Sequence, residues 1–238
     1  MSRKWRVVGL IGTVAVVLMF QTQRKVGNGE PDLLGQLSPS NADDPATRTI
    51  HYWQATGQMF RSASQSISKH NEQATLFKSG KLTTANDFQA FWKRWSLLYT
   101  EDVETAENAI VTIERLPILN VDPLVLDVAT QAINYLRFRA ILNKANSLDC
   151  AMYSALYADF EMAGGVVDDT TPEGQQLLTR EQGIISRMTT RVDIEGRIEK
   201  QKLAEFLAIA RKTRIELSAK YHVEFADINT SNTHRNEK

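Results

Sequence analysis

Asp122 to Met162 reads DPLVLDVATQAINYLRFRAILNKANSLDCAMYSALYADFEM, and the reading of this stretch decides the fold. After Pro123 it contains neither glycine nor proline, and its apolar residues return every three or four positions instead of alternating. That spacing predicts one long helix whose seam carries Val125, Val128, Ala132, Ile133, Leu136 and Ala140, then Ile141, Ala145, Leu148, Met152 and Leu156. Its start is written in Asp122-Pro123. A proline at the first helical position gives up only an N–H that has no partner within the helix, and the aspartate before it can cap the remaining donors.

The same pairing recurs at Asp44-Pro45 and Thr171-Pro172, while Thr84 is a cap candidate before Ala85. Pro117, Gly80 and the Gly164-Gly165 pair supply stops. Four long helices are therefore predicted, over about Pro45 to Lys78, Ala85 to Leu116, Pro123 to Met162 and Pro172 to His222. The first steps through Ile50, Trp53, Gly57, Phe60, Ser64, Ile67, Asn71 and Ala74; the last carries Leu178, Ile185, Met188, Val192, Ile198, Leu203, Phe206, Ala210, Leu217 and Tyr221. Short connections force neighbouring helices to run in opposite directions, so the expectation is an all-α antiparallel bundle of about four long helices. At 1.5 Å per residue their lengths come to roughly 50, 50, 60 and 75 Å, which do not match. The last helix is thus expected either to break, at Gly183 or Gly196, or to overhang as a coiled-coil seam.

Upstream, seventeen uncharged residues separate Arg6 from Arg24, with Val7 to Phe20 as their apolar heart. A membrane span needs roughly 17–20 such residues. No Ala-x-Ala-like site follows, and Cys150 is the only cysteine, so an uncleaved single-pass anchor is the leading reading and a cleaved secretory signal its rival. Arg3, Lys4 and Arg6 before the span, against Arg24 and Lys25 after it, favour a cytoplasmic N-terminus and a bundle outside. The expected organisation is an anchor over 1–25, a flexible linker over 26–44 with Pro31 and Pro39, the bundle over 45–225 and a disordered tail over 226–238.

With 42% hydrophobic and 24% charged residues, the chain falls outside collagen-like, wholly disordered and disulfide-scaffold classes. Its 28 basic and 28 acidic side chains cancel, but unevenly: residues 1–25, 26–100, 101–173 and 174–238 carry +5, +1, −9 and +3. The basic residues of the last part are interleaved with acids, which argues against nucleic acid as a partner.

Catalytic patterns are missing. No Glu-x-x-His pair, nucleophile elbow, phosphate loop or Cys-x-x-Cys occurs, so no catalytic residue, cofactor or metal ligand set is assigned. Cys150 reads as a buried small hydrophobe and His70 as a helix-surface residue. Two features remain as candidates. Phe88, Phe91, Trp92, Trp95 and Tyr99 could line an aromatic pocket between helices, or simply fill the core. Asp159, Glu161, Asp168, Asp169 and Glu173 surround the turn before the last helix and could form an acidic tip for a protein partner. Asp159 and Glu161, near a helix C-terminus, need a counter-charge there. The function expected is a membrane-anchored interaction or scaffold module with a protein partner or self-association; a ligand-sensing bundle is the alternative.

Overall fold

The computed structural model of the chain describes residues 4–5, 44–64, 67–165 and 167–228. The anchor over Val7 to Phe20 and most of the linker lie outside the described residues, as does the tail from 229. Of the described residues 83% are helical, in five helices packed as a bundle. These are α1 (Pro45–Ser64), α2 (Ile67–Lys78), α3 (Ala85–Glu114), α4 (Pro123–Met162) and α5 (Pro172–Tyr221). A two-residue antiparallel ladder joins β1 (Lys4–Trp5) to β2 (Val167–Asp168), Lys4 opposite Asp168 and Trp5 opposite Val167. Among the described residues no helix is long and apolar enough to cross a membrane.

All four capping signals operate. The Thr47 and Leu124 amides donate to the carboxylates of Asp44 and Asp122 at 3.0 and 2.9 Å, and those of Asp87 and Gly174 to the hydroxyls of Thr84 and Thr171 at 3.1 Å each. Asp87 returns the favour by accepting from the Thr84 amide at 2.9 Å, a reciprocal cap on α3. Helix α4 ends where Gly164 and Gly165 take positive φ, and the Gly165 amide closes back on the Phe160 carbonyl at 2.9 Å. At α5 the residue that turns left-handed is His222, with φ of 54°.

The length mismatch resolves in a way the sequence reading did not foresee. The last helix neither breaks at Gly183 nor at Gly196; it runs continuously for 50 residues. The first segment is instead two helices, α1 and α2, so the predicted single helix over Pro45 to Lys78 is corrected.

Two compact units result. One contains α2, α3 as far as Val103, α4 from Ile141 and α5 as far as Ile198; the other contains α1 and the remaining parts of α3, α4 and α5 with the C-terminal segment. The core of the second is mainly aliphatic and small, with Val125, Val128, Ala132, Leu136, Ala210 and Leu217 around Trp53 and Phe60. Several of its polar groups are tied down, although the buried Thr56 Oγ1 has no hydrogen-bond partner among the described residues. Asp122 accepts from Lys220 Nζ at 2.6 Å and Tyr221 Oη at 2.9 Å, and its own amide donates to Thr49 Oγ1 at 3.1 Å. Trp53 Nε1 donates to the Ala226 carbonyl at 2.7 Å and Arg61 to that of Ile228 at 3.1 Å. Ile228 is buried in this core, so residues 226–228 are ordered against α1 and the tail expectation is corrected there.

Candidate functional site

In the first unit, α3 and α4 run antiparallel with aromatic side chains in register. Phe88 and Trp92, one helical turn apart on α3, stack on Tyr157 and Tyr153, one turn apart on α4. The centroid separations are 5.1 and 4.6 Å, with interplanar angles of 19° and 15°. Further along, the aromatics give way to small residues, and Ser96 and Thr100 meet Ser147 through hydroxyl contacts of 3.1 and 3.0 Å. Phe91 packs edge-on against both Trp92 and Trp95, and Trp95 lies against Tyr99. The five aromatics proposed from sequence are thus brought together; four are buried and Tyr99 is half-buried.

This core differs from an ordinary apolar one in its polar atoms. Trp92 Nε1, Trp95 Nε1 and Tyr157 Oη are buried without a hydrogen-bond partner among the described residues. Glu181 of α5 is 7% exposed, and burial alone raises its carboxyl above the ordinary range. The phenols of Tyr153 and Tyr157 are pushed up, first by burial and then by the charge of Glu181. Unsatisfied groups of this kind each cost roughly 1–3 kcal/mol relative to a paired state. Glu181 escaped the sequence reading, although it occupies a seam position between Leu177 and Ile184, both buried at helical spacing.

His70 is also corrected. It is buried, its ring lies 5.0 Å from Trp95 and 5.3 Å from Tyr99, and its Nε2 faces Asp102 Oδ2 at 3.5 Å. The polar neighbours Asn71 and Glu72 suggested a solvated helix, but they occupy the other side of α2. Cys150 is a buried thiol, pushed up mainly by desolvation, in keeping with a packing role.

The acidic residues do not form one cluster of free charge. Asp159 has its counter-charge in Arg180, at 2.6 Å. Asp168 Oδ1 accepts from the Thr170 amide and hydroxyl at 3.0 and 2.6 Å, which folds the turn locally. The turn presses on α5 so closely that a Cβ at Gly174 would stand 1.9 Å from the Asp168 carbonyl oxygen. Asp169 is half-buried, and Glu161 and Glu173 are exposed. Among the described residues no three His, Cys, Asp or Glu side chains gather as a metal site.

The larger surprise is on α4. Ile141, Leu148 and Met152, taken from sequence as part of the buried seam, are 70%, 60% and 43% exposed. The buried positions of this half are Leu142, Asn143, Asp149, Cys150, Tyr153, Leu156, Tyr157 and Phe160, so Leu156 of the expected seam is inside while the polar Asn143 and Asp149 share the inner face. Asp149 is held inside by Arg191 and by Arg187 at 3.4 Å, while aliphatic residues face out. The exposed Ile141, Leu148, Met152, Ala155 and Met162, with the half-buried Ala145 and Asp159, follow a 4-3-4-3-4-3 step. On α5 the strip that carries Arg187 and Arg191 continues into Ile194 and Ile198, both exposed.

No family model, curated protein or solved structure matches this chain.

Proposed function

We propose that the chain is a helical-bundle interaction module, tethered to a membrane by a single N-terminal span with the bundle outside. The observation that carries the interaction reading is the uncovered apolar face of α4. Ile141, Leu148, Met152 and Met162 stand exposed on this helix, aliphatic surface of the kind that marks an interaction site. The tether rests on the apolar run Val7 to Phe20 and its flanking cations. A photo-cross-linking residue placed at Leu148 in the membrane-embedded full chain is expected to give a discrete protein adduct, and the same residue at exposed Lys212 none. Equal labelling from both positions, or none from either, would reject the reading. Alkaline extraction should leave the chain in the membrane and release a variant lacking residues 7–20.

A second reading, a ligand-binding bundle, is favoured by Trp92 Nε1, Trp95 Nε1 and Tyr157 Oη, unpartnered among the described residues, and by the buried Glu181. The chemistry fits a small polar molecule that accepts from indole and phenol donors and donates to a carboxyl. Thermal shift against a metabolite panel tests it; a compound that stabilises the wild type and not Glu181→Gln supports it, and no shift from any compound removes it.

A further inference from the structure

We infer that the stripe Trp53, Gly57 and Arg61 along α1 is a docking groove for an extended peptide, and that the chain fills it with its own residues 225–228 as a latch that lifts without unfolding the second unit. All of the residues concerned belong to that unit, so neither the exposed face of α4 nor the aromatic core of the first unit carries any part of it. The three stripe positions are one helical turn apart and line one side of α1 over about 12 Å. Beyond α5 the chain turns at His222, a non-glycine residue in the left-handed region, and residues 224–227 belong to no helix or strand. They run along the stripe instead. The Trp53 indole donates to the Ala226 carbonyl at 2.7 Å and the Arg61 guanidinium to the Ile228 carbonyl at 3.1 Å, two acceptors two residues apart. Between the two donors Gly57 leaves a slot, since a Cβ there would stand 3.5 Å from Ile228 Cγ1 and 3.6 Å from its Cα.

The side chains of the segment add a pattern. Phe225 is buried and meets Trp53 edge-on at 5.9 Å, Asp227 pairs with Arg214 at 3.4 Å, and Ile228 is buried over Gly57. The groove therefore takes an aromatic residue, any residue, an acid and an aliphatic residue in sequence, on an extended backbone. Side chains hold that backbone, with the Phe225 amide on Ser218 Oγ at 3.3 Å as a third tether, and no strand ladder includes it. A short segment tied in this way, after a strained turn, has the marks of an element that opens by itself. Burial lowers the Arg61 guanidinium below its ordinary value, and the charge of Asp227 works against that. When the latch lifts, Trp53 and Arg61 lose these acceptors, so the open groove selects a peptide that supplies two carbonyls and an acid.

The test uses the full chain in detergent and reads hydrogen exchange of the Trp53 indole N–H, its resonance identified by its loss in Trp53→Phe. Corrected for intrinsic rates, this N–H should exchange about tenfold or more faster than the amides of Val128 and Leu136 in the same core, because the latch opens locally. Equal rates mean that the segment leaves only when the unit unfolds, and overturn the proposal. Phe225→Ala combined with Ile228→Ala should release the segment while circular dichroism shows the helices kept. A peptide of residues 224–228 added in trans should then slow the exchange again, and bind about tenfold or more tighter than to wild type, where the resident segment competes. The same peptide carrying Phe225→Ala should do neither. If the double variant loses its helices, Gly57→Leu decides alone, since it favours the helix and fills the slot. Its Trp53 N–H should exchange faster than in wild type with the helical signal intact, and the peptide should not slow it. A Trp53 as protected in Gly57→Leu as in wild type, or a released groove that ignores the peptide, overturns the docking groove.

Discussion

Trp53 and Trp92 are equally buried indoles, one in each unit, and they are treated in opposite ways. Trp53 hands its N–H to the Ala226 carbonyl at 2.7 Å; Trp92 keeps its own unspent against the face of Tyr153. The contrast extends to the carboxylates. Asp122 caps a helix and receives an ammonium and a phenol, whereas Glu181 lies buried with neither a hydrogen bond nor a cation among the described residues. One core is built to close the chain on itself. The other keeps several buried polar groups without partners among the described residues and leaves aliphatic side chains of α4 exposed.

The largest expected effect that tests this contrast is Asp122→Ala. It removes the cap of α4 and leaves the Tyr221 hydroxyl without its acceptor, at about 2–3 kcal/mol in urea unfolding. A loss under 1 kcal/mol would mean that the second unit is not held by this carboxylate. Next, Trp53→Phe and Trp92→Phe remove the same indole edge from two interiors. The first should cost about 1 kcal/mol more than the second, the worth of one hydrogen bond, because only Trp53 has one to lose. Equal losses would break the comparison.

The smallest effect is in the response to pH, where the two carboxyls should act with opposite sign. Burial pushes Asp122 up, but the bonds from Lys220, Leu124 and Tyr221 outweigh it, and its carboxyl sits below the ordinary range. Its contribution is therefore complete above the unfolded value near 4 and is lost as pH falls through the lower folded value. Glu181 is raised by burial, so its favourable contribution is complete below the unfolded value and is lost as pH rises through the folded one. Glu181→Gln should stabilise the chain at pH 7 by about 0.5 kcal/mol and flatten the decline above pH 5, while Asp122→Ala flattens the acid limb. Thermal melts across pH 3 to 8 separate the two; identical profiles for both variants would contradict the assignment.

Most of the fold was legible because caps are local. Asp44, Thr84, Asp122 and Thr171 each announce a helix within three residues, and glycines mark the ends. What escaped was tertiary. The division of the first segment into α1 and α2 carries no proline or glycine, and Ser64 to Ile67 continues a helical period without interruption. The second half of α4, with Asp149 inside and Ile141, Leu148 and Met152 outside, misleads for a deeper reason. Apolarity identifies which face wants burial, and a chain that buries Asp149 on two arginines can leave that face for something else. The aromatic group was visible as five residues, but Glu181 and His70 were not, since nothing along the sequence distinguishes a seam position occupied by a polar residue from a solvated one.

The sharing of α3, α4 and α5 between the two units has a consequence for anyone who wishes to cut the protein apart. Neither unit is a continuous piece of chain, so no single cut in the polypeptide separates one from the other. A break in the exposed turn at Ile118 and Leu119 would instead divide the polypeptide into a three-helix and a two-helix fragment, each holding a portion of both cores. Those halves have nothing complete to fold around alone and every reason to find each other, which makes this turn the natural place to split the protein into a reassembling pair.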